Sequence, residues 1–269
     1  MSRDWKYLLS NPGPDGHIVQ LYNDDDFYCE AISHFAAEGL VRGESVILVA
    51  TPANWVNIAR QLEGKGFNSS ELFDKGQLTL LDANDTLPKF MKGGMPDGTI
   101  FKPIAADTIQ KARCGGKFPR VRWWGEMVNV LYVEGREKAS HQLEQFFDEV
   151  AHEQTVAIFC SFLMDQYDPR IYDETFNNVC LTHSHVIPMR NYDAHRHAVN
   201  AAITDIIGPI EGKQLRSLVN WSGKDTSGMP PSQAMLLWVR ETMPDRFPRV
   251  LEKAKSYDCQ TDASAMGQA

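Results

Sequence analysis

Residues 17–35 read HIVQLYNDDDFYCEAISHF. The first six residues are a short apolar run that predicts a buried strand, and residues 24–40 repeat apolar side chains at helical spacing. The junction between them, NDDD at 23–26, stands where many α/β proteins bind phosphate on a glycine-rich loop. Here Asn23 or Asp24 can cap the helix, and the aspartates that follow favour the helix dipole but repel phosphate. The junction therefore argues against a phosphate site.

The composition predicts a soluble protein without conventional ATP hydrolysis. The 269 residues include no G-x-x-x-x-G-K-[ST] phosphate loop, and 43% of them are hydrophobic, which is enough for a sizeable core. The net charge of −8 disfavours a nucleic-acid partner. The longest strongly apolar run, VAIFCSFLM (156–164), is shorter than the roughly 20 residues that span a bilayer. We therefore expect no membrane contact.

The cysteines and the first residues indicate the compartment. The five cysteines are scattered and never spaced C-x-x-C, which favours a reduced setting. The first residues, MSRDWKYLLSNPGPDG, lack the apolar core of a signal peptide. Together these features predict a cytoplasmic protein.

Apolar runs alternate with helical patterns through most of the chain. Strands are predicted at 17–22, 45–50, 78–83, 121–126 and 156–164. Because helices separate these strands, they form βαβ units, and we predict a three-layer α/β fold with a mainly parallel sheet. From about residue 171 the alternation stops, and helices are predicted at 173–184, 191–207, 211–221, 231–242 and 245–257.

These patterns predict four segments along the chain. Residues 1–16 form an N-terminal arm, and residues 17–188 form the α/β domain. A helical extension follows at 189–257, and the polar tail at 258–269 is expected to be disordered.

The carboxyl ends of the predicted strands carry the candidate ligand-binding residues. In an open parallel sheet, ligands bind beyond these ends. Tyr22 and Asp24 follow the first strand, Asp82 follows the third, and Glu126 follows the fourth. This rim is rich in carboxylates and aromatic rings and poor in cations. It therefore predicts a site for a small polar ligand other than phosphate.

The stretch VRWWGEMVNVLY (121–132) contains three of the most informative side chains. Strand alternation places Trp123 on one face of the sheet and Trp124 on the other. Trp124 is a candidate ligand contact, although packing is its simpler role. Glu126 follows a turn at Gly125 and opens the next helix. Three roles for Glu126 stay open: a general base, a hydrogen-bond acceptor for a ligand, or a structural residue.

Histidines raise the question of a metal site. His17 opens the first strand, where both a structural and a ligand-binding role are open. The segment CLTHSHVIPMRNYDAHRH (180–197) holds one cysteine and four histidines. His-x-His chelates poorly on a helix because positions i and i+2 face different sides, and this segment is predicted as helix, turn and helix. Its spacing also matches no standard zinc pattern. We therefore predict no metal and no cofactor.

A series of motifs resembles the MEDS domain, a sensory domain of methanogen and methylotroph proteins. In order, they are HIVQLY, FYCEAISHFAAEGLVRGESVILVAT, GQLTLLDA, GGMPD, WGEMV, AIFCSF and HSHVIP, and they cover about residues 15–190. The resemblance implies a fold similar to RecA- and KaiC-like ATPase domains that have lost the phosphate loop. It also implies sensing of small hydrocarbon-derived ligands, with His17, Tyr22 and Glu126 at the motif positions.

The leading hypothesis is a non-enzymatic cytoplasmic sensor. It would bind a small molecule and relay the signal to a histidine kinase or a transcription regulator. The alternatives are a partner-binding modulator of a two-component system with a vestigial pocket, and an enzyme that uses Glu126. The predicted helix after 191 carries an apolar stripe that could form a homodimer or docking contact, or pack back on the sheet. The stripe consists of Ala198, Ala202, Ile206 and Ile210.

Overall fold

The computed structural model describes residues 5–172, 174–222 and 229–266. The chain divides into two compact units. The α/β unit comprises Met1–Leu163 and Thr182–Ile187, and the helical unit comprises Met164–Leu181 and Pro188–Ala269. The sequence predicted a boundary near 188, where the chain leaves the α/β unit for the last time. It did not predict that Met164–Leu181 belongs to the helical unit.

One six-stranded sheet forms the centre of the α/β unit, and every neighbouring pair in it is parallel. Its strands are β1 (His17–Tyr22), β2 (Ser45–Ala50), β3 (Leu78–Asp82), β6 (Val121–Gly125), β7 (Ala157–Leu163) and β8 (His185–Ile187). Their order across the sheet is β3-β2-β6-β7-β1-β8. A separate antiparallel pair consists of β4 (Met91–Lys92) and β5 (Met95–Pro96).

Helices cover both faces of the sheet. They are α1 (Trp5–Ser10), α2 (Asp25–Val41), α3 (Pro52–Gly64), α4 (Ser69–Asp74), α5 (Ala83–Thr86), α6 (Gly98–Ala112), α7 (Met127–Val133) and α8 (Glu137–Gln154). Helix α2 packs on the sheet together with α1 and α3, whereas α6, α7 and α8 pack on one another and on the other face. The predicted three-layer α/β fold is confirmed.

The alternation of β6 confirms the predicted faces of the two tryptophans. Trp123 packs edge-to-face on Phe147 of α8, with ring centroids 5.9 Å apart. Trp124 packs on Tyr28 of α2, with centroids also 5.9 Å apart. Both indole rings are buried, so each serves as core on its own side of the sheet.

The predicted N-terminal arm contains a helix. Helix α1 packs on α2, where Trp5 contacts Phe27 with ring centroids 5.3 Å apart. The buried guanidinium of Arg122 donates to the Leu9 carbonyl at 2.8 Å and pairs with Glu44. The arm is therefore anchored to the start of β6 by a buried charge that is itself paired.

Strand β8 is the largest difference from the sequence prediction. It is parallel to β1, with Ile18 opposite His185. The sequence predicted a helix over 173–184, but α9 (Glu174–Leu181) ends earlier and the chain then enters this strand. Three residues are too few to show a period of two, so no strand pattern was visible.

The helical unit contains α9 to α13. After α9 come α10 (Tyr192–Ile207), α11 (Pro209–Ser222), α12 (Pro231–Thr242) and α13 (Phe247–Met266). Helix α10 packs against the three helices that follow it. Ala198 and Ala202 of the predicted apolar stripe are buried within this unit, whereas Ile210 is 69% exposed. The two alanines therefore pack inside the chain's own helical unit.

The last helix is longer than the sequence predicted. Helix α13 continues to Met266, so most of the tail expected to be disordered from 258 is helical. The final positions, 267–269, lie outside the described residues. No helix in the described part of the chain is both long and apolar enough to cross a membrane.

Candidate functional site

The carboxylate of Glu126 is buried beyond the carboxyl ends of the neighbouring strands β2 and β6. It is 1% exposed. Its Oε2 accepts hydrogen bonds from the Tyr28 hydroxyl at 2.9 Å and from Asn54 Nδ2 at 2.7 Å. Its Oε1 accepts from the backbone N–H of Thr51 at 2.5 Å, directly before α3. Glu126 therefore places negative charge near a helix N-terminus, where nucleotide-binding proteins place phosphate.

Two stacked tyrosines form one wall of this carboxyl-edge site. The rings of Tyr22 and Tyr28 lie 4.2 Å apart. The Tyr22 hydroxyl accepts from Asn129 Nδ2 at 3.1 Å, and Asn129 Oδ1 accepts from the backbone N–H of Leu163 at 2.8 Å. Burial and the charge of Glu126 raise the pKa of both tyrosines. Both hydroxyls therefore stay protonated and serve as hydrogen-bonding groups.

Two of the predicted site residues are helix caps. Asp24 is exposed and is the N-cap of α2, where its carboxylate accepts from the backbone N–H of Asp26 at 2.9 Å. Asp82 is the N-cap of α5 and accepts from the backbone N–H of Asn84 at 2.8 Å. Each carboxylate thus occupies a helix N-terminus, as proposed for the acidic junction.

The predicted ligand contact Trp124 lies in the core below the site. Its indole is fully buried, and its Nε1 donates to Ser161 Oγ at 3.2 Å. The ring packs against Tyr28, so it supports the carboxyl-edge wall from inside.

His17 lies at the opposite edge of the sheet from Tyr22 and Glu126. It opens β1 and Tyr22 closes it, so the two are separated by about 16 Å at the usual rise of a strand. The three positions that the family resemblance implied for one site are therefore divided between two edges.

His17 belongs to a second, buried group at the amino edge, together with Glu144, Cys160 and His183. All four are at most 2% exposed, and their ligand atoms lie within 4.8 Å of one another. The Nε2 atoms of His17 and His183 each lie 3.2 Å from Glu144 Oε2. Cys160 Sγ lies 3.5 Å from His17 Nε2. We call this group the His-Glu-Cys-His cluster.

Charges within the cluster shift its pKa values strongly. Burial lowers the pKa of His17, but the carboxylates of Asp148 and Glu144 raise it to about 9 overall. Burial alone would raise the pKa of Glu144, but His183 and His17 together outweigh burial and lower the pKa to about 2. Burial and Glu144 raise the pKa of the Cys160 thiol. The imidazoles and the carboxylate thus stabilise each other's charged forms.

The family comparison agrees with this architecture. A family model described as MEDS, "MEthanogen/methylotroph, DcmR Sensory domain", matches residues 16–184. The chain belongs to the MEDS family. No curated protein matches it significantly.

The MEDS match includes both edges of the sheet. It contains the carboxyl-edge residues around Glu126 and all four members of the His-Glu-Cys-His cluster. It ends before β8 and leaves α10 to α13 outside. The family therefore accounts for the sensory α/β unit and not for the helices after residue 187.

Sequence reasoning missed the partners of both groups. Tyr28 and Asn54 lie on α2 and α3, and only the fold brings them to Glu126. In the segment 180–197 only His183 joins the cluster, because it precedes β8 instead of lying on a helix. The signal available in the sequence was that His17 and Cys160 both lie in predicted strands of the parallel sheet, at 17–22 and 156–164.

Proposed function

We propose that this MEDS-family chain is a non-enzymatic sensory protein that binds a small molecule at the carboxyl edge of the sheet. The observation that carries the proposal is the buried carboxylate of Glu126, on which three donors from three elements converge. A carboxylate that already accepts three hydrogen bonds is a recognition group more than a free general base.

The topology supports this location. Strands β2 and β6 are neighbours, and the helices that follow them, α3 and α7, lie on opposite faces of the sheet. In open α/β sheets, ligands bind in the crevice that forms where the helices after two neighbouring strands go to opposite faces. Glu126 and Thr51 are the residues directly after these two strands.

The chemistry of the site favours a small neutral or cationic ligand with a hydrogen-bond donor. Glu126 can accept from a ligand hydroxyl or amine in place of Asn54 or Tyr28. The stacked rings of Tyr22 and Tyr28 offer an apolar wall for a short carbon skeleton. The negative charge of Glu126 and of the aspartates after β1 disfavours anions.

The site also offers a route for the signal. Asn129 binds both the Tyr22 hydroxyl and the backbone N–H of Leu163. Leu163 is the last residue of the α/β unit before the chain enters the helical unit. We propose that a change at Tyr22 alters this segment, and that the helical unit passes the signal to a histidine kinase or a transcription regulator.

Native mass spectrometry of the purified full chain is the first test. A small molecule bound from the expression host should appear as extra mass that denaturation removes. Thermal unfolding with short alcohols, amines and carboxylic acids as probes then tests the ligand class. We expect alcohols or amines to raise the melting temperature and carboxylic acids to leave it unchanged.

Variants locate the binding site. Glu126→Gln should abolish the response to the probes, because it removes the negative charge and its NH₂ group faces a donor in either orientation, at Thr51 or at Tyr28 and Asn54. Asp82→Asn is the matched control: it removes a carboxylate from the same edge, but asparagine keeps the N-cap. An equal response of wild type and Glu126→Gln would overturn the proposed site. A response only to carboxylic acids would overturn the proposed ligand class.

A further inference from the structure

We propose that the His-Glu-Cys-His cluster is a structural zinc site. Its ligands would be His17 Nε2, His183 Nε2, a carboxylate oxygen of Glu144 and Cys160 Sγ. Two imidazoles, one carboxylate and one thiolate form a donor set that suits zinc, and four protein ligands make a closed site. The site would be separate from the carboxyl edge.

Three of the distances between the donor atoms are close to those around one tetrahedral ion. Zinc bonds of about 2.0 to 2.3 Å place neighbouring ligand atoms about 3.3 to 3.7 Å apart. The two imidazole Nε2 atoms each lie 3.2 Å from Glu144 Oε2, and Cys160 Sγ lies 3.5 Å from His17 Nε2. All four donor atoms lie within 4.8 Å of one another.

The Glu144 carboxylate lies close to the other donor atoms without a well-aligned hydrogen bond to them. Within the described part of the chain, neither carboxylate oxygen of Glu144 has a hydrogen-bond partner of standard geometry, although both imidazoles are close to it. A buried carboxylate without aligned donors is costly. Groups that point at a shared centre instead of at one another are what an ion between them requires.

The outer nitrogens of both imidazoles have partners that fix their orientation. His17 Nδ1 donates to the Thr182 carbonyl at 2.9 Å. His183 Nδ1 lies 3.1 Å from the hydroxyl of Thr182. The carbonyl contact places the N–H of His17 on Nδ1 and directs Nε2 into the cluster, and the hydroxyl contact holds the His183 ring with its Nε2 3.2 Å from Glu144 Oε2. Zinc-binding histidines are held by outer partners of this kind.

The charges balance when zinc is present. A carboxylate and a thiolate together neutralise a divalent cation, and both imidazoles then bind as neutral ligands. All four side chains are at most 2% exposed, so the ion would lie in a dry, enclosed place. Such burial is typical of structural sites, because a catalytic zinc keeps one position open.

The site would fasten the shortest strand of the sheet. Its ligands come from β1, α8, β7 and the residue two positions before β8. Strand β8 has three residues and pairs with β1 alone. The segment Thr182–Ile187 is joined to the helical unit at both of its ends along the chain. Zinc at His183 would therefore hold this segment against the rest of the α/β unit.

Metal content and a cobalt spectrum of the full chain test the proposal. Native mass spectrometry should show one zinc ion per chain, lost on denaturation. Protein produced in zinc-depleted medium with Co²⁺ should show the visible bands of tetrahedral cobalt and a near-ultraviolet thiolate-to-cobalt band.

Matched variants assign the ligands. Cys160→Ser should lose the thiolate-to-cobalt band, whereas Cys29→Ser, which changes another buried thiol of the same unit, should keep it. His183→Gln should weaken cobalt binding at least tenfold. If Cys160→Ser does not fold, the wild-type spectrum and His183→Gln still decide.

Two results would overturn the zinc site. Absence of zinc from the native mass together with absence of a cobalt spectrum would leave the cluster as a histidine–carboxylate ion pair. A thiolate-to-cobalt band that persists in Cys160→Ser would place the metal at another cysteine.

Discussion

Two buried histidines of this chain have pKa values that move in opposite directions. His17, at the amino edge of the sheet, is 1% exposed; burial lowers its pKa, but Asp148 and Glu144 raise it to about 9. His195, on α10 of the helical unit, is 0% exposed, and burial lowers its pKa to about 4. Since both rings are equally removed from water, their neighbours make the difference.

The neighbours of His195 are amides and hydroxyls. The Tyr167 hydroxyl donates to Asp258 at 2.7 Å, so it accepts from His195 Nδ1 at 3.0 Å. Gln233 Nε2 donates to His195 Nε2 at 3.2 Å and to Gln166 Oε1 at 2.8 Å. The neutral imidazole is thus fully hydrogen-bonded, and a second proton on its ring would face an amide donor.

His17 is buried beside charged groups in the α/β unit, whereas His195 is buried beside neutral groups in the helical unit. In the α/β unit, a carboxylate and imidazoles depend on one another, so loss of one leaves a buried group uncompensated. In the helical unit, both direct hydrogen-bond partners of His195, Tyr167 and Gln233, are neutral side chains. Only the α/β unit brings a carboxylate, a thiol and two imidazoles to one centre, so this group can exchange the imidazole protons for a metal ion and the network around His195 cannot.

The largest effect is expected from Glu144→Gln. It removes the carboxylate that both cluster imidazoles face, so we expect the free energy of unfolding to fall by about 3 to 5 kcal/mol. Urea unfolding at pH 7 measures the change. Glu153→Gln, at the exposed end of the same helix, should change it by less than about 0.5 kcal/mol. Equal effects of the two variants would show that the cluster adds no stability beyond a surface charge.

Acid should destabilise the chain through His195. Its pKa is 6.5 in the unfolded chain and about 4 in the folded one, so the unfolded chain binds the extra proton between these values. The contribution is fully present above pH 6.5 and decreases as the pH falls to 4, by about 3 kcal/mol. Urea unfolding at pH 7 and pH 4 gives the total change.

The variant His195→Gln isolates this contribution. It has no titrating group at that position, so its loss of stability between pH 7 and pH 4 should be about 3 kcal/mol smaller than that of wild type. The same loss in both proteins would mean that His195 is protonated in the folded chain and that the two histidines do not differ as described.

The two regions also differ in how far the sequence predicts them. Strands β1, β2 and β6 are mostly apolar runs of five or six residues, which predict their positions. The opposite faces of Trp123 and Trp124 follow from the period of two of a strand. Residue type and position limit the N-cap of α2 to Asn23 or Asp24, and the structure places Asp24 there. These features are local, and local patterns predict them.

The candidate sites depend on contacts between distant residues. The cluster joins residues 17, 144, 160 and 183, which share no local spacing, and His183 reaches it only because β8 replaces a predicted helix. Glu126 was predicted from its place after β6, but its partners Tyr28 and Asn54 lie on other elements. Sequence patterns thus indicated Tyr22 and Glu126 at the carboxyl edge and His17 in the cluster, and packing supplies the other members.

The smallest effect is expected from a variant that gives His195 the kind of charged neighbour that His17 has. Gln233→Glu places a carboxylate beside His195, as Glu144 stands beside His17. An opposite charge at this distance should raise the pKa of His195 by about 1 to 3 pH units. The imidazole resonances, followed by NMR as a function of pH, measure the pKa of His195.

The control variant Gln233→Leu removes the amide without adding charge, so the pKa of His195 should stay at or below about 4. If His195 titrates at the same pH in Gln233→Glu and in wild type, neighbouring charge does not explain the difference, and the shift at His17 would need a cause other than its carboxylates.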